Sequence, residues 1–343
     1  MAKMKSFWNN LPQPFFALAP MEAVTDVVFR HVVQRAGAPD VFFTEFANAT
    51  GWVHAGDKAI AGRLLKTGDE HPLVAQIWGG EPGDMKQFAA HCARLGFDGI
   101  DINMGCPAKS AIKSGGAALI RRPDVAIAAI HAAKTAGLPV SVKTRLGYTY
   151  VDEWREWLRT LLEQDIANLT IHLRTKKEMS KVPAHYELIG DIVALRDAVA
   201  PHTLLTINGD IRDRGHGLAL AGAHPGVNGI MIGRGVFANP FCFAAGDTGY
   251  LHSQNNLEQN ETISTNNDSA VIWCAELFDL LNYHLDLFDR YQPQTGRPFE
   301  TLKRFFKIYI KGFDGAKELR DQLMHMASTN EVRQILRTHS TTL

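Results

Sequence analysis

The chain has 343 residues, of which 45% are hydrophobic and 21% charged, and 36 basic and 36 acidic side chains give a formal net charge of zero. This composition excludes intrinsic disorder, a collagen-like fibre and a small disulfide-stabilised secreted domain. The length suits one large domain, or one large and one small domain. The charge balance neither indicates nor excludes a nucleic-acid partner.

The N-terminal segment and the cysteines predict a protein of a reducing compartment. Pro12 and Pro14 interrupt the first twenty residues, and the apolar run after them is too short for the core of a signal peptide. No run of about 18 apolar residues predicts a membrane span. The cysteines lack the spacing of metal ligands or disulfide pairs, so we expect neither a metal site nor disulfides: Cys92, Cys106, Cys242 and Cys274. Together these features predict a cytoplasmic protein without a membrane segment.

Eight apolar segments of strand length follow one another along the first two-thirds of the chain, and most are separated by helical patterns. Several are continuous apolar runs, which are typical of strands buried on both faces of a parallel sheet. The predicted strands are Phe15–Ala19, Val41–Phe43, Leu73–Ile77, Gly99–Asn103, Val140–Lys143, Leu169–His172, Leu204–Asn208 and Gly229–Ile232. The clearest helices are Met85–Leu95, Asp124–Ala136, Asp152–Gln164 and Ile189–Ala198. This α/β pattern favours a (β/α)8 TIM barrel over a doubly wound open sheet.

The composition changes after the eighth strand. Residues 246–270 are rich in Asn, Gln, Ser and Thr and predict an exposed polar linker. Helical patterns follow over residues 271–291, Phe299–Lys311 and Ala316–Met326, so we predict a barrel domain over 1–245 and a small C-terminal all-helical domain over 271–343. From Arg297 onward, four Lys and five Arg outnumber five acidic residues, a net charge of +4. That charge fits either a solvated surface or a surface that contacts RNA.

Mostly polar side chains occupy the C-terminal ends of the predicted strands, where (β/α)8 barrels place reactive groups. Burying so many polar groups without partners would cost about 1 to 3 kcal/mol each. Their convergence therefore predicts a binding site. In chain order these residues are Pro20, Met21, Glu22, Gln76, Asn103, Cys106, Lys143, Arg145, His172, Asn208, Gly209, Asp210, Gly233 and Arg234.

Three features of these strand ends indicate particular chemistry. The glycine-containing turns after the last two strands suit a phosphate, because barrels bind phosphate there and Arg234 adds a charged donor. Lys143 would stabilise an anion that develops on a reduced flavin ring or an enolate. Cys106 lies in a Gly-Cys-Pro turn, and its thiol could act either as a proton donor or as a nucleophile.

The motifs at the strand ends resemble those of the tRNA-dihydrouridine synthases, flavin enzymes that reduce uridine in tRNA. The most specific parts are the N-x-G-C-P turn and the K-x-R-x-G strand end. The matching segments occur in the expected order across the barrel: Ala19–Asp26, Asp101–Lys109, Val142–Gly147, Ile171–His172, Asn208–Asp210 and Met231–Gly235.

The resemblance implies an FMN-binding barrel, a helical domain that binds tRNA, and NADPH or NADH as the reductant. Cys106 would be the general acid, and the substrate would be a uridine flipped out of a tRNA loop and bound by a monomer. FMN would contact Pro20, Met21, Glu22, Gln76, Lys143, His172, Asn208, Gly209, Asp210, Gly233 and Arg234. The substrate would contact Asn103, Arg145 and Lys109. The chain departs from the family pattern at Leu173, where family members commonly have Gly.

Two other functions fit parts of the sequence. An FMN barrel similar to dihydroorotate dehydrogenase would act on a free pyrimidine with similar Asn and Lys placements, but such enzymes lack the basic helical domain. A non-catalytic RNA-binding barrel would not require Cys106, Lys143 and His172 together.

Overall fold

The computed structural model describes residues 6–245 and 268–340. They form two compact units. The first contains the described residues up to Asp26 together with Pro39–Gly233, and the second contains Val27–Ala38 and the described residues from Arg234 onward. Most of the predicted linker lies outside the described residues, and its last three residues, 268–270, belong to a helix.

Nine parallel strands of the first unit form a single sheet. They are β1 (Phe15–Leu18), β2 (Phe42–Phe43), β3 (Ala47–Asn48), β4 (Leu73–Trp78), β5 (Gly99–Asn103), β6 (Val140–Arg145), β7 (Asn168–His172), β8 (Leu204–Asn208) and β9 (Gly229–Ile232). Neighbouring strands follow the order β1-β9-β8-β7-β6-β5-β4-β2, and β3 pairs with β4. A bridge from Ala17 to Val41 brings the first strand next to the start of the second.

This topology confirms the predicted barrel and excludes the doubly wound sheet. Strand β1 pairs with β9 from Phe15 opposite Gly229 to Leu18 opposite Ile232, so the sheet nearly closes on itself. All eight predicted strands are present within two residues of their expected bounds, and the very short β3 is additional. Continuous burial along β1 and β5 agrees with strands covered on both faces.

Helices follow most of the strands and make up the second unit. In chain order they are α1 (Val27–Gly37), α2 (Ala49–Ala55), α3 (Pro82–Arg94), α4 (Pro123–Lys134), α5 (Trp154–Leu162), α6 (Ile189–Val199), α7 (Arg214–Ala223), α8 (Gly235–Ala238), α9 (Asp268–Thr295), α10 (Glu300–Lys303), α11 (Phe306–Tyr309), α12 (Ala316–His325) and α13 (Thr329–Ser340). Short 3-10 turns occupy Phe7–Asn10, Gly56–Ala59, Ala111–Lys113, Gly116–Arg121, Val151–Glu153 and Tyr186–Leu188. No helix among the described residues is long and apolar enough to cross a membrane.

The second unit differs from the sequence prediction in two places. The helix predicted over Phe299–Lys311 is two short helices, α10 and α11. The backbone tightens between them, because Phe305 N donates to the carbonyl of Leu302 and Ile308 N to that of Phe305, three residues back instead of four. Helix α13 was not predicted. It buries only a narrow stripe that includes Val332 and Leu336, and most of its other side chains are polar.

Aromatic packing fills the N-terminal end of the barrel. Trp8 precedes β1, and its ring centroid lies 5.6 Å from that of Phe15 and 6.4 Å from that of Phe43. Ala17, Val74 and Met231 belong to the same buried cluster. The end of the barrel opposite the Cys106 turn is therefore packed around these apolar side chains.

Candidate active site

The turn that carries Cys106 is fixed by hydrogen bonds from its own backbone. Asn103 Oδ1 accepts from the backbone N–H of Gly105 at 3.1 Å and of Cys106 at 2.9 Å. A Cβ at Gly105 would lie 3.1 Å from the backbone carbon of Thr144, so this position favours glycine. The carbonyl of Cys106 also accepts from Ala117 N at 3.0 Å. The half-buried thiol is thus held at the end of β5.

A chain of buried hydrogen bonds between side chains of β4, β5 and β6 supports the Cys106 turn. Ser141 Oγ and Gln76 Nε2 each donate to the carboxylate of Asp101 at 2.6 Å. Gln76 Oε1 then accepts from Asn103 Nδ2 at 3.0 Å. Burial raises the pKa of Asp101 to about 6, although the bonds from Ser141 and Gln76 and the charge of Lys143 oppose this rise. Asp101 is therefore mainly ionised at pH 7, and it orients the amide on which the Cys106 turn depends.

Lys143 provides the ammonium group of the site. Its Nζ donates to Asn208 Oδ1 at 3.2 Å, and Asn208 Nδ2 donates to the carbonyl of Met231 at 2.8 Å. Burial and the nearby charge of Arg145 lower the pKa of Lys143 to about 8, whereas the charge of Asp101 acts to raise it. Lys143 therefore remains mostly charged at pH 7.

Arg145 connects the Cys106 turn to the loop after β7. Its Nε donates to the carbonyl of Gly105 at 2.8 Å, and its Nη1 donates to the carbonyls of Thr175 at 3.2 Å and Met179 at 3.0 Å. The same nitrogen lies 3.3 Å from His172 Nδ1. Burial lowers the pKa of Arg145 to about 10, so the guanidinium is still charged at neutral pH.

The thiol of Cys106 is protonated at neutral pH in this environment. Burial raises its pKa above the ordinary value, although a backbone bond from Ala108 and the charges of Arg145 and Lys143 act in the opposite direction. The attacking form of cysteine is the thiolate, which this environment disfavours. The arrangement therefore suits a proton donor better than a nucleophile.

Cys106 opens onto a cleft of about 570 Å³ in the first unit. Glu22 and Arg63 form an ion pair on its wall, with Arg63 Nε 3.1 Å from Glu22 Oε1. The sequence did not single out Arg63, which follows no predicted strand. Trp78 ends β4 and could have been found as a strand end. The lining residues are Met21, Glu22, Phe46, Asn48, Ala59, Arg63, Trp78, Cys106, Ala108, Ser110 and Ala111.

The turn after β8 has an unusual backbone conformation. Gly209 has φ 125° and Asp210 has φ 51°, and both values lie in the positive-φ region of the backbone, which favours glycine. A Cβ at Gly209 would lie 3.2 Å from Ala184 Cβ. Tyr186 donates its hydroxyl to the carbonyl of Gly209 at 2.6 Å. The backbone of this turn can therefore come close to a ligand.

Arg174 holds the same turn from the loop after β7. It forms an ion pair with Asp210, whose carboxylate also accepts from Ala184 N at 3.1 Å. Arg174 Nε donates to the carbonyl of Val182 at 2.5 Å, whereas the buried Nη1 of Arg174 has no hydrogen-bond partner among the described residues. Sequence reasoning missed Arg174 and Tyr186, although both lie in the loop that follows His172.

Hydrogen bonds connect five of the predicted site residues, directly or through Gly105: Gln76, Asn103, Cys106, Arg145 and His172. A separate bond joins Lys143 to Asn208. Pro20 is buried after β1, whereas Lys109 is exposed beyond the Cys106 turn. Gly233 directly follows β9. Arg234 is exposed and begins the second unit.

The second unit carries a separate basic groove of about 600 Å³. Five of its lining side chains are basic and two are acidic. The groove therefore presents a net positive charge, which fits a polyanion. Its lining residues are Lys303, Arg304, Phe306, Lys307, Lys317, Glu318, Arg320, Asp321 and Met324.

The chain is similar to known proteins over nearly its whole length. Residues 17–342 match the family described as dihydrouridine synthase (Dus). A Bacillus subtilis (strain 168) protein described as probable tRNA-dihydrouridine synthase 2 is 57% identical over 334 residues, which cover 97% of this chain and 96% of that protein. A probable tRNA-dihydrouridine synthase of Staphylococcus aureus (strain Mu50) is 53% identical, with 97% of this chain and 95% of that protein covered. A solved structure of a variant of NCR from Zymomonas mobilis covers 66% of this chain and 83% of its own, at 16% identity and a TM-score of 0.43.

Proposed function

Since the chain belongs to the dihydrouridine synthase family, we propose that this enzyme reduces the C5–C6 double bond of specific uridines in tRNA to dihydrouridine. The proposal includes FMN as the cofactor, NADPH or NADH as the reductant, and Cys106 as the general acid. It describes a monomer that acts in the cytoplasm. The observation that carries the catalytic part is the Cys106 turn, which Asn103 holds at the end of β5 and whose Cys106 lines the cleft.

The side chains at the strand ends have the chemistry that a flavin mononucleotide requires. Gln76 and Asn208 supply amides, Lys143 supplies an ammonium group that suits an electron-rich ring, and His172 lies beside them. The open backbone at Gly209 suits a phosphate. When bound, FMN would supply the hydride that is added to uracil.

The remaining cofactor assignments rest on the resemblance to the family. Met21 and Glu22 line the cleft, and Pro20 precedes them. Asp210, Gly233 and Arg234 stay predicted contacts of the phosphate and its neighbouring chain. We propose that Asp210 acts mainly through the backbone of its turn, because its carboxylate is already bound by Arg174. The list of proposed FMN contacts is therefore Pro20, Met21, Glu22, Gln76, Lys143, His172, Asn208, Gly209, Asp210, Gly233 and Arg234.

The chain's own groups can deliver a proton to the uracil ring. Cys106 would give its thiol proton to C5, and the charges of Lys143 and Arg145 would stabilise the thiolate that is left. Asn103 is already committed to the Cys106 turn through its carbonyl oxygen. Its amide nitrogen already donates one N–H to Gln76 Oε1, so a direct contact with uracil would use the second N–H. A contact of Arg145 with uracil would use Nη2.

A uridine must leave its base stack to reach this cleft. A positively charged surface helps to hold the rest of the RNA, and the binding of phosphates by Lys and Arg gives a salt-dependent affinity. Lys109 beyond the Cys106 turn and the basic groove of the second unit would provide such contacts. This division assigns chemistry to the barrel and RNA binding largely to the helical domain.

The decisive experiment sequences tRNA from cells that lack the gene, with dihydrouridine measured position by position. We expect loss of the modification at one or a few loop uridines, restoration by the wild-type gene and no restoration by Cys106→Ala. The purified protein should contain FMN and should reduce uridine in unmodified tRNA but not free uridine or orotate. Unchanged dihydrouridine in the deletion strain would contradict the proposed function.

A further inference from the structure

The loop after β6 presents two tyrosines on a rigid backbone. Tyr150 is 64% exposed, and Tyr148 is half-buried two residues before it. The carboxylate of Glu153 accepts from the backbone N–H of Tyr148 at 2.6 Å, of Thr149 at 3.1 Å and of Tyr150 at 3.0 Å. The backbone that carries the exposed Tyr150 ring is therefore fixed by a side chain of its own loop.

Three cations from other loops surround these rings. The guanidinium carbon of Arg121 lies 3.9 Å from the centroid of the Tyr148 ring, and Lys176 Nζ lies 4.8 Å from it. Lys177 Nζ lies 5.8 Å from the centroid of the Tyr150 ring. We call these five residues, Arg121, Tyr148, Tyr150, Lys176 and Lys177, the tyrosine platform.

Backbone bonds fix the lysines of the tyrosine platform in place. Lys176 N donates to the carbonyl of Gly147 at 2.8 Å, and Lys177 N donates to the carbonyl of Tyr148 at 2.9 Å. Arg121 Nη2 donates to Thr149 Oγ1 at 3.0 Å. Three separate loops thus combine exposed aromatic surface with positive charge.

Three carboxylates near the tyrosine platform, Asp152, Glu153 and Glu178, balance part of its positive charge, and Glu153 interacts with Arg121. Glu153 is bound to three backbone N–H groups, and Glu178 accepts from Thr175 N at 2.7 Å and contacts His185 at 2.9 Å. Asp152 is the remaining carboxylate on the loop that bears the tyrosines. Glu153 and Glu178 thus bind backbone N–H groups and His185, whereas the ammonium groups of Lys176 and Lys177 lie against the tyrosine rings.

Arg145 connects the loop that carries the lysines of the tyrosine platform to the Cys106 turn. That loop also carries Thr175 and Met179, whose carbonyls accept from Arg145. Arg145 in turn donates to the carbonyl of Gly105, the neighbour of Cys106. Both features lie on loops after the C-terminal ends of strands, at the same end of the barrel.

We propose that the tyrosine platform binds the tRNA strand next to the target uridine, with an unpaired base stacked on Tyr150 and phosphates near Lys177 and Arg121. Single-stranded RNA is commonly bound by aromatic rings on which bases stack and by cations along its backbone. The inference rests on the proposed function. It assigns substrate contacts to the barrel in addition to those expected of the helical domain.

The test compares Tyr150→Ala with Tyr150→Phe in the flavin-loaded, full-length enzyme. Loss of one base-stacking contact should raise KM for tRNA by about 5- to 100-fold with kcat little changed. Phe keeps the aromatic face, so its KM should stay near that of the wild type. Lys177→Gln should lower the slope of log affinity against log salt by about 0.7 to 0.9, as expected for one phosphate contact.

The matched control is Lys66→Gln, which removes the same charge and a similar contact. Lys66 Nζ lies 5.0 Å from the Phe97 ring centroid, just before β5 and so at the opposite end of the barrel. Equal KM values for Tyr150→Ala and wild type, or an equal loss of affinity in Lys66→Gln, would overturn the inference. The unfolding temperature and the flavin content of Tyr150→Ala show whether this variant is correctly folded. If it is not, the salt dependence of tRNA binding by Lys177→Gln tests the inference instead. A wild-type enzyme that reduces no tRNA would instead contradict the proposed function.

Discussion

Replacement of Asp101 by Asn should change how the stability of the barrel depends on pH. Asp101 is completely buried, and its carboxylate accepts from Ser141 Oγ and Gln76 Nε2 at 2.6 Å. Asn has nearly the same shape and keeps one oxygen acceptor, but it cannot ionise. The substitution therefore removes the cost of a buried charge and leaves most of the packing in place.

The size of the effect follows from the pKa of Asp101. Burial raises this pKa from the ordinary 3.8 to about 6 in the folded protein. The stability contributed by the protonated carboxyl is fully present below pH 3.8 and is lost as pH rises through 6. A rise from 3.8 to about 6 corresponds to a total loss of about 3 kcal/mol of unfolding free energy between strongly acidic pH and pH 7. Relative to Asp101→Asn, the wild type should therefore lose about 2 kcal/mol of unfolding free energy between pH 4 and pH 7, because part of the total is already lost at pH 4.

Urea denaturation of both proteins at a series of pH values from 4 to 7.5 measures this difference. Asp165→Asn is the matched control, because the Asp165 side chain is 98% exposed. Its unfolding free energy should run parallel to that of the wild type. Parallel curves for Asp101→Asn as well would refute the reasoning, because they would show that the buried carboxyl is not ionised at a cost.

Three further substitutions test other parts of the barrel. Lys143→Met removes the ammonium group that donates to Asn208, so flavin affinity in a fluorescence titration should fall about 10- to 100-fold; unchanged affinity would exclude the proposed contact. Gly209→Ala places a Cβ 3.2 Å from Ala184 Cβ at φ 125° and should lower unfolding free energy by about 1 to 3 kcal/mol in urea. Burial acts to lower the pKa of His185, but its bonds to two glutamates raise that pKa overall. The stability that the charged His185 contributes is therefore present below pH 6.5 and is lost as pH rises through the pKa of the folded protein. His185→Gln should lower the free energy of unfolding more at pH 6 than at pH 8. An equal loss at both pH values would count against a charged His185.

The strand pattern of the barrel could be predicted from the sequence because burial on both faces leaves continuous apolar runs. The runs Gly99–Asn103 and Leu204–Asn208 coincide with observed strands. The two-residue strand Ala47–Asn48 could not be predicted, because it is too short to show any periodicity. Helix α13 was missed for a related reason, since its apolar stripe is too narrow to separate it from a polar terminus.

Positions at strand ends could be predicted for the site, but the partners of those residues could not. Barrel geometry alone predicts that Asn103, Lys143 and Asn208 approach one another, and the structure confirms a contact between Lys143 and Asn208. Arg174 was missed because its partner Asp210 lies 36 residues away. The pairing depends on the path of the loop after β7, which neither periodicity nor turn residues determine.

The pKa values of the site define a pH range in which its charges coexist. The pKa of Asp101 is raised to about 6 and that of Lys143 is lowered to about 8, chiefly by burial in both cases. Between these values the carboxylate that orients the Cys106 turn and the ammonium group are both charged. The thiol remains protonated across this range, because burial raises its pKa above the ordinary value. Burial therefore does not simply suppress charge at this site: it keeps the proton on the Cys106 thiol while Asp101 and Lys143 are both ionised near neutral pH.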